Sequence, residues 1–427
     1  AQQLRPLLLP PSPLIPRPGL KFCNATMATN VHGPSVAIVG GGIAGLVCAA
    51  RLGQLGIAAA TVFDTGGHAP GGRCSTRKID VAGKTFLFDH SAQYFTVSDN
   101  RFAKIVSFLH AKGAVKVWNG PVGVLKGGRF EKKSNLQAFV GTEGMKSVPE
   151  CLATLSRVER PVWIGNVVWE PMAKKWKVGK YGYFDYLVIA HNGKCADRLM
   201  GNAGAPKIHE LLRVRFTPKL IQKVQQMQLC SLWVLLVVFP TSLKLPFEGA
   251  FVEDSNVTWV ANNTAKLGQR ATGDGSECWT IFSSRQFGAA HKVPQENIPP
   301  GKADEVTKRL LAAFAKSAGL DSRALPSPTY TKVQLWGAAV PLNVLDGADC
   351  VFQASQNVGI CGDWLVSPCI EGAAVSGLAL AESIHRHVRG ERRDTGLGCT
   401  FKPVYGPAMG SFPTNSKLVF NPGGKTG

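Results

Sequence analysis

The sequence predicts an α/β fold whose centre is a βαβ unit near the N-terminus, and three adjoining observations predict it. A hydrophobic strand, VAIVG (Val36–Gly40), runs into a turn where Gly40, Gly42 and Gly45 complete the spacing GxGxxG. Leu46, Ala49, Leu52 and Gly56 then recur at the period of one helical face. A second strand, AATVFD (Ala59–Asp64), ends in an acid 19 residues past Gly45. Strand, glycine turn, helix, strand and acid in that order make a Rossmann-type dinucleotide-binding unit.

Each residue type has its reason. Gly40 permits the tight turn and Gly42 lets a pyrophosphate approach the backbone. Gly45 lets the helix pack closely on the strand, which aims the helix N-terminal amides at the phosphates. Ile43 and Ala44, between these glycines, count among the cofactor contacts. Asp64 is placed to accept ribose hydroxyls, and an acid there argues against a 2′-phosphate. Directly after the second strand, GGHAPGGRCSTRK (Gly66–Lys78) adds Gly71 and Gly72, which allow close approach, and Arg73, which can supply charge to a pyrophosphate. Nothing in a nicotinamide dehydrogenase demands this second glycine element.

Composition sets outer bounds. The chain has 427 residues, enough for two or three domains, with 45% hydrophobic residues and a mean hydropathy of +0.03. Its longest apolar run, LCSLWVLLVVF (Leu229–Phe239), falls well short of the roughly 20 residues a spanning helix needs. It reads as a buried strand, with a short core helix as the alternative. The net charge of +20 is dispersed, with small clusters at KKWK (Lys174–Lys177) and RHVRGERR (Arg386–Arg393) and no nucleic-acid motif between them. A solvated basic face accounts for it; peripheral contact with an anionic membrane is the partner it would otherwise suit, and nucleic acid is not expected. The 11 cysteines show no CxxC spacing, which points to a reducing compartment. His385 and His387 diverge on a helix, and no metal site is expected.

The ends differ from the middle. Residues 1–35 are rich in proline and contain no acid, the first being Asp64. This composition suits a disordered transit peptide, with the chloroplast expected and the mitochondrion or cytoplasm as alternatives. Residues 391–427 show no period and much Gly and Pro, and are expected to be a disordered tail. Between them, RFAKIVSFLHAKG (101–113) and Lys302–Ala318 read as amphipathic helices. In the latter, Val306, Leu310, Ala313 and Phe314 share a face. YFDYLVIAHNG (Tyr183–Gly193) reads as a strand entering a turn, and Val358–Cys361 as a strand leading to a long helix that ends near Arg389.

GGRCSTRK is similar to the GGR-x-x-[ST]-x-R element of the flavin-dependent amine oxidase superfamily. FDHSAQYFT (Phe88–Thr96) resembles the D-H-G-A-Q-Y-F segment of renalase-like NAD(P)/FAD-dependent oxidoreductases, with Ser91 where Gly is usual. EGMKSVP (Glu143–Pro149), WVANNTAKLG (Trp259–Gly268), ECWTIFSS (Glu277–Ser284) and VGICGDWLVSPCIEGAAVSGLALAESI (Val358–Ile384) extend the likeness over about 36–390. The resemblance implies a glutathione-reductase-like FAD-binding domain (36–98, 143–215 and 346–390). It would be interrupted by an α+β substrate domain (99–142 and 216–345) with a mostly antiparallel sheet. It implies that Ser91, Ala92, Gln93 and Tyr94 run beside the flavin ring and that Val167 also contacts the cofactor. Gly362 and Asp363 would meet the ribityl and pyrophosphate region. Glu371, Gly372 and Ala373 would open a helix whose N-terminus stabilises negative charge on the reduced pyrimidine.

FAD carries its own hydride acceptor, so no acid–base pair is required and no catalytic side chain is assigned. Non-covalent FAD is expected; Cys369, just ahead of the helix, is the one cysteine near such a position. His90 is expected to be a structural histidine bonded to backbone, with an acid–base role near the ring as the alternative. Tyr94, Trp233 and Trp336 are the candidates to line an aromatic cavity over the flavin, where core packing would serve the tryptophans equally. KVQLWGAAVP lacks the Arg that commonly precedes this Trp in the bacterial relatives it resembles. The resemblance implies hydride removal from a small reduced substrate, dihydronicotinamide- or amine-like, with an NAD(P)H-type molecule among the candidates and O2 or another acceptor closing the cycle. A desaturase-type flavoprotein acting on a plastid lipid or pigment, and a flavin-binding scaffold without turnover, are the alternatives. The oligomeric state is left open.

Overall fold

The structure is a computed structural model that describes residues 33–405 except 135, 192, 223–224, 269–274 and 322–324. The expected transit peptide lies outside the described residues. Two large sheets organise the rest. The first has six strands in the order 351–353, 358–360, 186–189, 36–39, 60–63 and 157–159, parallel throughout except for the 351–353 edge. Its centre is β1 (Val36–Val39), paired in register with Tyr186–Ile189 on one side and with β2 (Ala60–Phe63) on the other. All four β1 side chains are buried, as a central strand covered on both faces requires. α1 (Ile43–Gln54) lies on one face, crossed by the long C-terminal helix Ile370–Val388. That crossing is close: a Cβ on Gly377 would sit 2.3 Å from the Ala44 carbonyl oxygen.

The second sheet has eight strands, mostly antiparallel, drawn from residues 122–132 and 214–341. At its heart the long apolar run forms a strand, Met227–Phe239, with every residue buried, and not a helix. The alternation of a strand divides its side chains between two cores. Trp233, Leu235, Val237 and Phe239 pack with the helix Pro300–Ser317, whose buried face is the predicted Val306, Leu310, Ala313 and Phe314. Val234, Leu236 and Val238 face the core shared with α1. A hairpin of β3 (Thr76–Val81) and β4 (Lys84–Asp89) contributes Phe86 and Phe88 to that shared core.

The expected disorder from residue 391 does not extend through the described part of the tail. Phe401–Pro403 pairs antiparallel with Asn343–Leu345, and Thr395 exchanges two 2.8 Å backbone bonds with Phe352. Edge pairing of this kind uses backbone groups and needs no apolar periodicity, so composition hides it. Residues 406–427 lie outside the described residues. The ten described cysteines are unpaired. Among the described residues no helix is long and apolar enough to cross a membrane.

Candidate cofactor and substrate site

The site begins where β1 gives out. Gly40 turns the chain at φ +119°, where a side chain would meet the Ala190 carbonyl oxygen at 2.9 Å. A Cβ on Gly45 would lie 2.1 Å from the Gly40 carbonyl oxygen, so the first turn of α1 rests on the loop that precedes it. Gly42 differs: a Cβ there would find only the Gly71 carbonyl oxygen, 4.0 Å away. Gly42 is also the N-cap of α1, and no side chain caps the helix. Ile43 and Ala44 are buried in the first turn, with their amides at its uncapped end. The first turn therefore presents free N–H groups beside open space, which is how a helix receives a phosphate.

Asp64 closes one side. Its Oδ2 accepts from Gly41 N at 3.0 Å and its Oδ1 from Gly66 N at 2.8 Å. A carboxylate has about four acceptor positions, so two remain for ribose hydroxyls. Gly41, which the GxGxxG spacing passes over, is as constrained as Gly40. A Cβ on it would strike Asp64 at 2.6 Å. The run of three glycines was the available signal. Gly71 reaches the same place, with its N–H donating to Gly41 O at 2.8 Å, and Gly72 has nothing near an added Cβ.

Two expected cofactor contacts meet each other. Arg73 Nη1 donates to Asp363 Oδ2 at 2.9 Å and Nη2 to Oδ1 at 2.6 Å, while Nη1 also reaches the Ala339 carbonyl at 3.0 Å. Burial opposes the guanidinium charge, but Asp363 outweighs it and the Arg73 pKa rises. Arg73 is thus a charge-balanced strap, and the donors left without a side-chain partner here are the first-turn amides of α1. Glu371 is likewise spoken for. It accepts from the backbone N–H of Ser98 at 2.7 Å and of Asp99 at 3.0 Å, and from the Ser98 hydroxyl. Cys369 caps the helix, its sulfur accepting from Gly372 N at 3.3 Å. A Cβ on Gly372 would strike Ser367 O at 2.1 Å, and Ala373 packs against the shared core. Gly362 donates to Ser376 Oγ at 3.0 Å, which ties the strand end to the helix. Val167 is fully buried in a cluster with Phe63 and Val178, in a separate three-stranded sheet.

The segment after β4 is held from beneath. Asp89 accepts from Thr76 Oγ1 at 2.6 Å and Met145 N at 2.8 Å, and its Oδ2 lies 2.8 Å from Lys266 Nζ. Both partners of that ion pair are fully buried. Lys266 also donates to Gln93 O at 3.3 Å, and Gln93 Nε2 donates to Asp89 O and Ser91 O at 2.6 and 3.0 Å. Ala92 N donates to Arg73 O at 3.0 Å. Ser91 adopts no left-handed conformation, so its side chain is accommodated without the backbone shift that replacing glycine could impose. Lys266 was visible in NNTAKLG, but nothing local announced its partner 177 residues earlier.

The aromatic candidates separate. Tyr94 packs on Trp259 and Trp118, with ring centroids 5.5 and 6.0 Å apart, and burial pushes its hydroxyl pKa up. Trp336 stacks on His90 at 5.6 Å and 7°, and its Nε1 donates to His90 O at 2.9 Å. Trp233 joins neither: it is buried on the opposite face, against the helix Pro300–Ser317, so it is core. His90 corrects a further expectation. Its Nε2 meets the Ser75 hydroxyl at 3.1 Å, not backbone, and its Nδ1 has no partner. Burial, with Arg77 adding to it, lowers its pKa to about 4, so the ring is neutral at pH 7.

The residues present fit a dinucleotide. Uncapped amides, open space at Gly42 and Gly72, and a half-engaged Asp64 suit a pyrophosphate and ribose.

Comparison with known proteins agrees with this geometry. Residues 38–109 match the family model described as an NAD(P)-binding Rossmann-like domain. Among solved structures, a candidate protoporphyrinogen oxidase from Exiguobacterium sp. 255-15 superposes with a TM-score of 0.58 at 12% identity, over 84% of this chain and 100% of its own. Cyclohexylamine oxidase from Brevibacterium oxydans IH-35A gives 0.56 at 12% identity over 84% and 100%, and a fatty acid isomerase from P. acnes gives 0.57 at 12% over 82% and 98%. At that identity the likeness is one of fold: the chain is a mixed α/β protein with a Rossmann-like dinucleotide-binding domain and the architecture of these amine-oxidase-like enzymes.

Proposed function

We propose that the protein is an FAD-dependent oxidoreductase that removes a hydride from a small reduced substrate, dihydronicotinamide- or amine-like, with O2 or another acceptor completing the cycle. The observation that carries the reading is the uncapped first turn of α1, opening onto bare glycines beside Asp64, in a chain with an amine-oxidase-like fold. FAD, when bound, supplies the hydride acceptor, and the protein's task is to hold and orient it. The α1 amides and Gly42 would take the pyrophosphate, and Asp64 the adenosine ribose. Gly71–Arg73 would wall the dinucleotide, with the Arg73–Asp363 pair bracing that wall. The strap from Asp89 to Tyr94 would fix the surface against which the ring lies. His90, neutral and bonded to Ser75, is placed to orient a substrate group and not to carry charge. The renalase-like assignment, non-covalent attachment and a chloroplast address belong to this proposal.

The test is direct. The full chain is purified, its absorbance recorded, and flavin bleaching followed anaerobically with dihydronicotinamides, amines and carotenoid precursors. A yellow protein bleached by one of the first two classes supports the reading. A colourless protein that takes up no added FAD overturns it, and bleaching by carotenoid precursors alone replaces the substrate class.

A further inference from the structure

One face of the strand Tyr330–Pro341 carries positive charge that no acid among the described residues pairs with. Alternation buries Val333 and Leu335 against the helix side and turns Lys332, Gln334 and Trp336 to the other face. That face meets the β3–β4 hairpin: Arg77 Nη2 donates to Gln334 Oε1 at 2.8 Å, and Trp336 stacks on His90. Two buried nitrogens at this junction, Arg77 Nε and His90 Nδ1, have no partner among the described residues. Neither Arg77 nor Lys332 is paired with an acid among the described residues, and Asp89, next to His90, is already held by Lys266. Both cations lie close enough to His90 to disfavour its protonation.

We propose that the junction of this strand face with the hairpin, between Arg77, Lys332 and His90, binds a phosphate group of the substrate. The inference rests on the reading of the adjoining site as a flavin oxidoreductase and narrows its substrates to phosphorylated ones. Charge decides the class. Two unbalanced cations match a phosphate monoester, which carries about −1.5 to −2 at pH 7, whereas a lone carboxylate would leave one of them uncompensated. Arg77 Nε is an unpartnered donor for one phosphate oxygen, and Lys332 acts as a point charge. His90 adapts by tautomer. Ser75 Oγ donates to Gly72 O at 2.9 Å, which leaves the ring proton on Nε2. Turning that hydroxyl to Nε2 moves the ring proton to Nδ1 and makes it a third donor.

The experiment is calorimetric titration of the FAD-loaded full chain with inorganic phosphate, and with acetate at matched ionic strength. Variants R77Q, K332Q and, as a remote control on the exposed face of the helix Pro300–Ser317, K308Q are compared. Saturable phosphate binding is expected, weakened about tenfold or more by either R77Q or K332Q, as loss of a charge-assisted bond implies, and unchanged in K308Q. Because Lys332 is exposed, K332Q keeps the test sound if R77Q fails to fold. No saturable binding, binding indifferent to K332Q, or acetate binding as tightly as phosphate overturns the proposal. Flavin absorbance in the same samples separates the two readings. A yellow protein without phosphate binding sinks only this one, and a colourless protein whose phosphate binding responds to K332Q sinks only the flavin assignment.

Discussion

Arg73 and Asp363, 290 residues apart in the chain, meet in a two-pronged ion pair at 2.9 and 2.6 Å. The pair joins the loop after β2 to the turn that precedes the C-terminal helix. In the proposed reading this geometry makes the guanidinium a brace between two segments and leaves the anion to the α1 amides.

Removing the arginine should therefore loosen the cradle before it weakens any phosphate contact. Arg73→Met leaves the buried Asp363 carboxylate without its partner, at a cost of about 1–3 kcal/mol for a pair that is partly solvated. Arg73→Lys should not restore it, because an ammonium cannot bridge both oxygens. Urea unfolding together with flavin content per chain checks this. Unchanged stability in Arg73→Met would show that the pair is incidental.

The glycines make a contrasted pair of substitutions. Gly45→Ala forces a methyl to within 2.1 Å of the Gly40 carbonyl oxygen and should destabilise the fold by about 1–3 kcal/mol, as overpacking does. Gly42→Ala meets nothing closer than 4.0 Å, so its thermal midpoint without flavin should be unchanged. The same methyl occupies the space assigned to the pyrophosphate, and flavin retention should be lost. Equal flavin binding by Gly42→Ala and wild type would move the cofactor elsewhere.

What was legible in the sequence follows from the range of the physics involved. The turn at Gly40–Gly45 and the acid at Asp64 were readable because steric demands on glycine and the reach of one βαβ unit are local. The partners of Arg73, Glu371 and Lys266 were not, because each is set by two segments that only the tertiary fold brings together. Trp233 stayed open between cavity and core for a different reason. In a strand buried on both faces apolar residues fall on both sides, as Leu232–Phe239 do here, so the pattern does not say which face turns to the site.

Lys266 is where a single change should be most damaging. Lys266→Met leaves the fully buried Asp89 carboxylate unpaired beneath the Gln93–Tyr94 strap, a loss of about 3–5 kcal/mol. Replacing both partners, as in Asp89→Leu with Lys266→Met, should recover part of that, because no uncompensated charge remains. A double-mutant cycle measured by denaturant unfolding gives the coupling. Additive losses would mean that the two side chains do not support one another.

His90 gives the protein a defined weakness in acid. Its folded pKa of about 4 lies below the ordinary histidine value of 6.5, chiefly because burial disfavours the imidazolium. A folded state that resists the proton is penalised only where the unfolded chain takes it up. Stability from this residue is therefore intact above pH 6.5, falls as pH drops from 6.5 towards 4, and is fully lost below that. Two and a half pH units of displacement set the loss at about 3 kcal/mol. His90→Gln, which fills the site without titrating, should flatten the decline between pH 6.5 and 4 by about that amount, whatever its stability at pH 7. The comparison needs only urea midpoints for the two proteins at several pH values across that window. Parallel curves for wild type and His90→Gln would mean that the imidazole takes its proton without resistance, and that water reaches Nδ1 in the folded protein.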